Sequence, residues 1–141
     1  MTPVIFINCK EFPFVQQIMN GTKTYETRNR NTLKRFIGEH VLIAETGNGA
    51  PIIRCSATIW GTVEVFTRSA WLYYMPYTEI PNGSRYDWQP GTKKKVLYRL
   101  ENVQRIKPFE LNAFSRRHGR VWAECTQEFN YVDIYDNYDI M

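Results

Sequence analysis

The sequence predicts a single small domain that is mostly β with helices (α+β), a β-barrel of five to six strands with one early amphipathic helix. Three observations indicate this class. The chain has 141 residues, enough for one domain over residues 1–141. Short apolar runs recur along it, and one early segment has helical spacing. With 43% hydrophobic and 23% charged residues, the composition is that of a globular protein rather than a disordered one.

The N-terminal part of the chain predicts a strand, a helix and a second strand. Residues 4–8 are a compact apolar run rich in β-branched and aromatic side chains, typical of a buried strand. In residues 12–20 the apolar side chains recur every three or four positions, which places them on one helical face. Gly21 predicts the end of this helix because glycine accepts positive φ. Residues 25–30 then alternate as an extended segment.

The remainder of the chain predicts mainly strands separated by loops. Residues 52–65 alternate over a long stretch that contains Gly61, so we expect either two strands or one strand bent at a bulge. Glycine, asparagine and proline at residues 47–51 predict a loop. Further strands are expected at residues 41–44, 95–106 and 121–129, and a short helix at about 70–74.

Positive charge is concentrated in two parts of the chain. Eighteen Lys and Arg against fourteen Asp and Glu give a net charge of +4. Residues 21–36 hold five bases and one acid, and residues 93–120 hold nine bases and two acids. Such clusters concentrate anions such as phosphates, although ordinary solvated surfaces also carry lysine and arginine. The counts therefore leave both a phosphate-binding surface and a solvated face open.

Several classes of protein and site are not expected. No run of about 18 apolar residues occurs, so we expect no membrane partner. The N-terminus has neither a basic leader nor a small-residue cleavage site, which favours a cytoplasmic location. Cys9, Cys55 and Cys125 are odd in number and widely spaced, which predicts neither a disulfide framework nor a zinc site. We therefore expect no metal and no cofactor.

A run of polar residues follows the predicted helix at 21–28, Gly-Thr-Lys-Thr-Tyr-Glu-Thr-Arg. Alternate side chains of an extended segment share a face, so Thr24, Glu26 and Arg28 are predicted to point the same way. Lys23 is expected to reach the same opening from the turn. Arg28 offers planar donors to a phosphate or base edge, and Glu26 can accept an amino proton or activate water. The alternative is a Glu26–Arg28 ion pair that only fixes the register.

This run resembles the G-x-K-T-x-E-x-R signature of ASCH (activating signal cointegrator homology) domains, a branch of the PUA-like superfamily whose fold is a small β-barrel. The context is similar as well. An opening strand is followed by Lys10, the amphipathic helix and the signature, and Gly38-Glu39 precedes an apolar strand. A later strand contains Gly61. The likeness covers residues 3–66.

The resemblance implies two functions of different class. Many ASCH domains are thought to bind RNA, and PUA-like barrels dock nucleic acids or modified bases beside a basic cleft, so RNA or a modified nucleotide is the expected partner. One bacterial branch is an amidohydrolase that removes the acyl group from acylated cytidine, with a lysine at the position of Lys23 and a threonine where this chain has Glu26. The alternative is therefore a hydrolase of RNA or N-acylated cytidine, with Lys23 and Glu26 catalytic. The expected ligand-binding residues are Lys10, Lys23, Thr24, Glu26, Arg28 and Arg30.

Two further features leave the function open. Aromatic side chains crowd residues 71–88 near basic ones, and they either stack unpaired bases or cap the end of the barrel. An acidic, aromatic tail from about residue 130 to 141 either adds a strand, covers the basic cleft or contacts a protein partner. The last possibility makes the chain a protein-interaction module.

Overall fold

The computed structural model describes residues 1–112, 114–119 and 121–133, which form one seven-stranded sheet with two α-helices. The strands are β1 (Thr2–Asn8), β2 (Tyr25–Arg28), β3 (His40–Thr46), β4 (Ile52–Val65), β5 (Lys95–Glu110), β6 (Phe114–His118) and β7 (Trp122–Cys125). The helices are α1 (Phe14–Asn20) and α2 (Arg68–Thr78), and a single turn of 3-10 helix spans Lys34–Phe36. The prediction of a mostly β domain of the α+β class is confirmed. Residues 134–141 of the acidic tail lie outside the described residues.

The strand order in the sheet is β2-β5-β4-β3-β1-β7-β6. The β1–β3 pair is parallel, and the other pairs are antiparallel. Strand β4 is a single strand of 14 residues whose pairing with β5 shifts register between Ile59 and Gly61. Of the two interpretations of this segment, one strand bent at a bulge is therefore the observed one. Strand β6 is additional to the five or six strands expected.

The sheet curls so that β2 approaches β1, although three strands lie between them in the sheet order. Arg28 Nη2, at the end of β2, donates a 2.7 Å hydrogen bond to the carbonyl oxygen of Phe6 in β1. Backbone pairing among the described residues does not join β2 to β1 or to β6. The sheet of the described residues is thus curled but not closed, and the expected small β-barrel is not confirmed.

Helix α1 packs against the sheet through Phe14, Val15 and Ile18, which are buried. It ends as predicted at Gly21, whose φ of 82° lets its N–H bond to the carbonyl of Ile18. Helix α2 is longer than the expected helix at 70–74. Its first turn is capped by the Thr67 side chain, which accepts a hydrogen bond from the Ala70 N–H.

The interior is filled by aliphatic and aromatic side chains from the strands and both helices. Trp71 of α2 and Tyr98 of β5 are both fully buried and belong to the same hydrophobic cluster. The three cysteines are buried and free. Within the described ranges, neither helix is long and apolar enough to cross a membrane.

The turn after β3 lies against the end of β1 at a position where only glycine fits. Gly47 has a φ of +94°, and a Cβ atom there would lie 2.7 Å from Asn8 Oδ1 and 2.9 Å from the Lys10 backbone nitrogen. Next to it, the Cys9 N–H donates to the carbonyl of Thr46. This close approach determines the spacing between β1 and the β3–β4 turn.

We expect Gly47→Ala to destabilise the chain more than Gly49→Ala. Gly49 has a similar φ of +99° but no heavy atom within 4 Å of the added Cβ, so its substitution introduces backbone strain alone, about 1 kcal/mol. Gly47→Ala adds a steric clash worth about 1–3 kcal/mol more. Urea unfolding of both variants measures the difference. Equal losses would show that the close approach at Gly47 does not constrain the fold.

Candidate functional site

An open cavity of about 390 Å³ lies where the C-terminal half of β1 faces β2. Residues from β1, β2, α1, the turn after β3 and the segment after α2 line it, so it is assembled from parts of the chain that are distant in sequence. Its polar lining includes Asn8, Lys23, Glu26, Thr27, Arg28 and Thr46, and its aromatic lining includes Phe6, Phe14 and Tyr86. We call this space the β1–β2 cavity.

The carboxylate of Glu26 is the centre of the polar side of this cavity. Glu26 is 6% exposed, and its Oε2 lies 3.0 Å from Arg28 Nη2. Its Oε1 lies 3.4 Å from Lys23 Nζ and accepts a hydrogen bond from the Thr27 N–H at 3.1 Å. A single carboxylate thus faces two cations. The three side chains Lys23, Glu26 and Arg28 together carry one net positive charge.

Lys23 is buried and uses its ammonium group to join β2 to the end of α2. Nζ donates to the carbonyl of Tyr25 at 2.9 Å and to the carbonyl of Thr78 at 2.7 Å. The Glu26 carboxylate, 3.4 Å away, adds an ion pair to these two hydrogen bonds. Burial lowers the pKa of Lys23, and the neighbouring Glu26 charge opposes that shift.

Arg28 is held by two hydrogen bonds that both leave from Nη2, one to Glu26 and one to the Phe6 carbonyl. Its Nε is buried without a hydrogen-bond partner among the described residues. A guanidinium carries five N–H donors in a planar fork. Arg28 is therefore fixed in orientation by its contacts with β1 and β2, and it lines the cavity.

The other predicted ligand-binding residues lie elsewhere. Thr24 lines a different cavity, of about 470 Å³, among Tyr73, Tyr74 and Tyr77. Strand β2 begins only at Tyr25, and the Thr24 backbone is bonded to residues of α2 and β5, so the expected alternation does not carry Thr24 to the face of Glu26.

The two flanking cations also lie away from this cavity. Lys10 is exposed, its backbone N–H bonds to Asn8 Oδ1, and its side chain is not part of the lining. Arg30 lines a third cavity beyond the end of β2. The structure thus brings Lys23, Glu26 and Arg28 together and separates Lys10, Thr24 and Arg30 from them.

Some lining residues were not predicted from the sequence. Asn8 and Phe14 come from elements that were assigned only structural roles. Tyr86 belongs to the aromatic-rich segment, and its ring contacts that of Phe14 edge-to-face with centroids 5.6 Å apart. The sequence feature that pointed to Tyr86 was its position in an aromatic stretch next to basic residues. In the part of the chain that the structure describes, no group of three or more His, Cys, Asp or Glu is placed to hold a metal ion.

Comparison with solved structures identifies the fold. The crystal structure of ASCH from Zymomonas mobilis matches with a TM-score of 0.63 and 18% identity, over 98% of this chain and 92% of that chain. A serine-to-alanine variant of that protein matches with a TM-score of 0.67 and 19% identity, over 98% and 92%. A tyrosine-to-phenylalanine variant matches at 0.64 and 18%, over 98% and 94%. No protein-family model and no curated protein matches the sequence.

The match extends over nearly the whole of both chains, so the fold of this chain is that of the Zymomonas mobilis ASCH protein. At 18–19% sequence identity, this likeness establishes the fold and says nothing about the activity. This structural likeness agrees with the resemblance of residues 21–28 to the ASCH signature.

We expect Glu26→Gln to destabilise the chain by about 3–5 kcal/mol, because it leaves the buried Lys23 without its counter-charge. The matched control is Glu45→Gln, which breaks a half-exposed pair with Arg54 at 3.2 Å and should cost less than about 1 kcal/mol. Denaturant unfolding of the two variants at neutral pH measures both values. A loss at Glu26 no larger than that at Glu45 would contradict the central role of this carboxylate.

Proposed function

We propose that the chain is an ASCH-type, PUA-like domain that binds RNA or a modified nucleotide, with a base held in the β1–β2 cavity. In this proposal the curled sheet is a PUA-like barrel whose gap between β2 and β1 is bridged by Arg28. The observation that carries the proposal is that Glu26 and Arg28 line one open cavity as a fixed pair, beside aromatic rings. A volume of about 390 Å³ is within the usual range of small-molecule sites.

The polar side of the cavity fits the edge of a base better than it fits a phosphate. A carboxylate accepts hydrogen bonds from an exocyclic amino group such as that of cytosine, and a guanidinium donates to ring nitrogens and carbonyl oxygens. Glu26 and Arg28 place these two kinds of group side by side. A phosphate has no donor to offer Glu26, so that carboxylate would face the phosphate oxygens without a hydrogen bond.

The aromatic side of the cavity supports the same proposal. Phe14 and Tyr86 meet edge-to-face and both line the cavity. Proteins that recognise unpaired bases combine contact with aromatic rings and hydrogen bonds to the base edge. Both components are present in the lining of this one cavity.

The second candidate is a hydrolase acting on RNA or on an N-acylated cytidine. The observation that favours it is a buried lysine in the cavity lining, with a lowered pKa and a carboxylate 3.4 Å away. A neutral amine or a carboxylate there can take a proton from water. Binding is the favoured function because the Lys23 ammonium already donates to two backbone carbonyls and pairs with Glu26, which holds the group as a structural cation.

We expect Arg28→Lys to weaken binding of single-stranded RNA about tenfold, because lysine keeps the charge but loses the planar fork of donors. Fluorescence anisotropy with labelled RNA of each base composition measures this. Arg54→Lys is the matched control outside the cavity, and it should leave affinity unchanged. Circular dichroism of both variants establishes that they fold. An Arg28→Lys variant that folds and binds as tightly as the original chain would contradict the proposed site.

The two candidate functions separate in a turnover assay. We expect acylated cytidine and short RNAs to be recovered unchanged after incubation with the chain, while binding to at least one of them is detected. Chromatography of the reaction mixture measures any product. Product that disappears in Lys23→Met would instead establish the hydrolase, with Lys23 acting on the substrate.

A further inference from the structure

A second, more basic cavity adjoins the β1–β2 cavity at the far end of β2. It has a volume of about 670 Å³ and is lined by residues 29–30, Phe66, Arg85 and the segment 89–95. We call it the basic groove. Its charged lining residues are Arg30, Arg85, Lys93, Lys94 and Lys95, and its described lining contains no carboxylate. The lining of the groove therefore differs in charge from that of the β1–β2 cavity, where Glu26 balances part of the positive charge.

Two segments of the chain, residues 28–30 and residues 85–86, contribute to the lining of both cavities. Arg28 lines the first cavity and Arg30, two residues later, lines the groove; likewise Tyr86 lines the first and Arg85 the groove. Lys95 is buried and fastens both segments, because its Nζ donates to Asn29 Oδ1 and to the Tyr86 carbonyl, each at 3.0 Å. Residues adjacent in sequence on these two segments thus line the β1–β2 cavity and the groove.

The loop that carries Arg85 and Tyr86 is fixed by the carboxylate of Asp87. This carboxylate accepts hydrogen bonds from the Trp71 indole at 2.7 Å, the Gly83 N–H at 2.8 Å and the Trp88 N–H at 2.7 Å. Burial alone would raise the pKa of Asp87, but these three donors together hold it below its ordinary value. A preorganised loop of this kind lowers the entropic cost of binding a ligand.

Apart from the buried Lys95, the cations of the groove are available to an anionic ligand. Arg30 and Lys93 form no ion pair with any described residue. Arg85 pairs with Glu11 at 2.8 Å and Lys94 with Glu64 at 3.4 Å, but both pairs are solvent-accessible and weak enough to exchange. The positive field of the groove is thus only partly compensated.

We propose that the basic groove binds the phosphodiester backbone of a single-stranded RNA next to the nucleotide whose base occupies the β1–β2 cavity. The inference rests on the proposed function and narrows it, because it makes the ligand an oligonucleotide rather than a free nucleoside. Two adjoining sites of different chemistry match the two parts of such a strand. The mixed, aromatic cavity suits a base, and the groove without carboxylates suits phosphates.

The test compares two double variants that remove the same charge. Lys93→Ala/Lys94→Ala removes two cations of the groove, and Arg105→Ala/Lys107→Ala removes two exposed cations of β5 that line neither cavity. A fluorescein-labelled single-stranded RNA of about 12 nucleotides is titrated by anisotropy between about 50 and 200 mM KCl. We expect the groove variant to bind about tenfold more weakly and its log–log salt slope to fall by about 1.4. The control should change affinity less than about threefold.

Several outcomes would overturn the inference. Equal weakening by the two double variants would mean that only overall charge matters. Tight binding of acylated cytidine, with no gain for the RNA, would refute the groove and leave the proposed function standing. Binding of RNA that neither the groove variant nor Arg28→Lys weakens would refute both. Binding of poly-glutamate as tight as RNA, lost in the groove variant, would assign the groove to an acidic protein segment instead.

Discussion

The pairing of the Glu26 carboxylate with two cations is the contact on which the site depends. Charges this deeply buried are costly unless they are paired and hydrogen-bonded. Lys23 reaches full pairing only when the end of α2 supplies the Thr78 carbonyl, and Arg28 only when β1 supplies the Phe6 carbonyl. The contacts that satisfy these charges are therefore the same ones that bring β1, β2 and α2 around the cavity.

What the sequence predicts well is local. The spacing of apolar residues before Gly21, together with the conformational freedom of that glycine, predicts α1 and its end. Alternation over residues 52–65 predicts either two strands or one strand bent at a bulge near Gly61, and the observed β4 is one strand with a register shift there. The polar run also places Glu26 and Arg28 on one side of β2, because the two residues are separated by one position within a strand.

What the sequence does not predict depends on contacts between distant segments. The burial of Lys23 follows from a carbonyl 55 residues later, and no local pattern encodes that contact. Thr24 fails to join Glu26 because α2 and β5 bind its backbone before β2 begins. Tyr86 lines the same cavity as the signature residues because of the path that the loop after α2 takes. The curled but unclosed sheet is likewise a property of long-range pairing.

Amide chemical shifts report residue by residue whether a nucleotide enters the β1–β2 cavity, as proposed. An isotope-labelled chain is titrated with short single-stranded RNA and followed by NMR. The account predicts that the first and largest shifts fall on Thr27, Gly47 and Tyr86, whose residues line the cavity. Shifts confined to the tyrosine-lined cavity around Tyr73 and Tyr77, with these three amides unmoved, would contradict it.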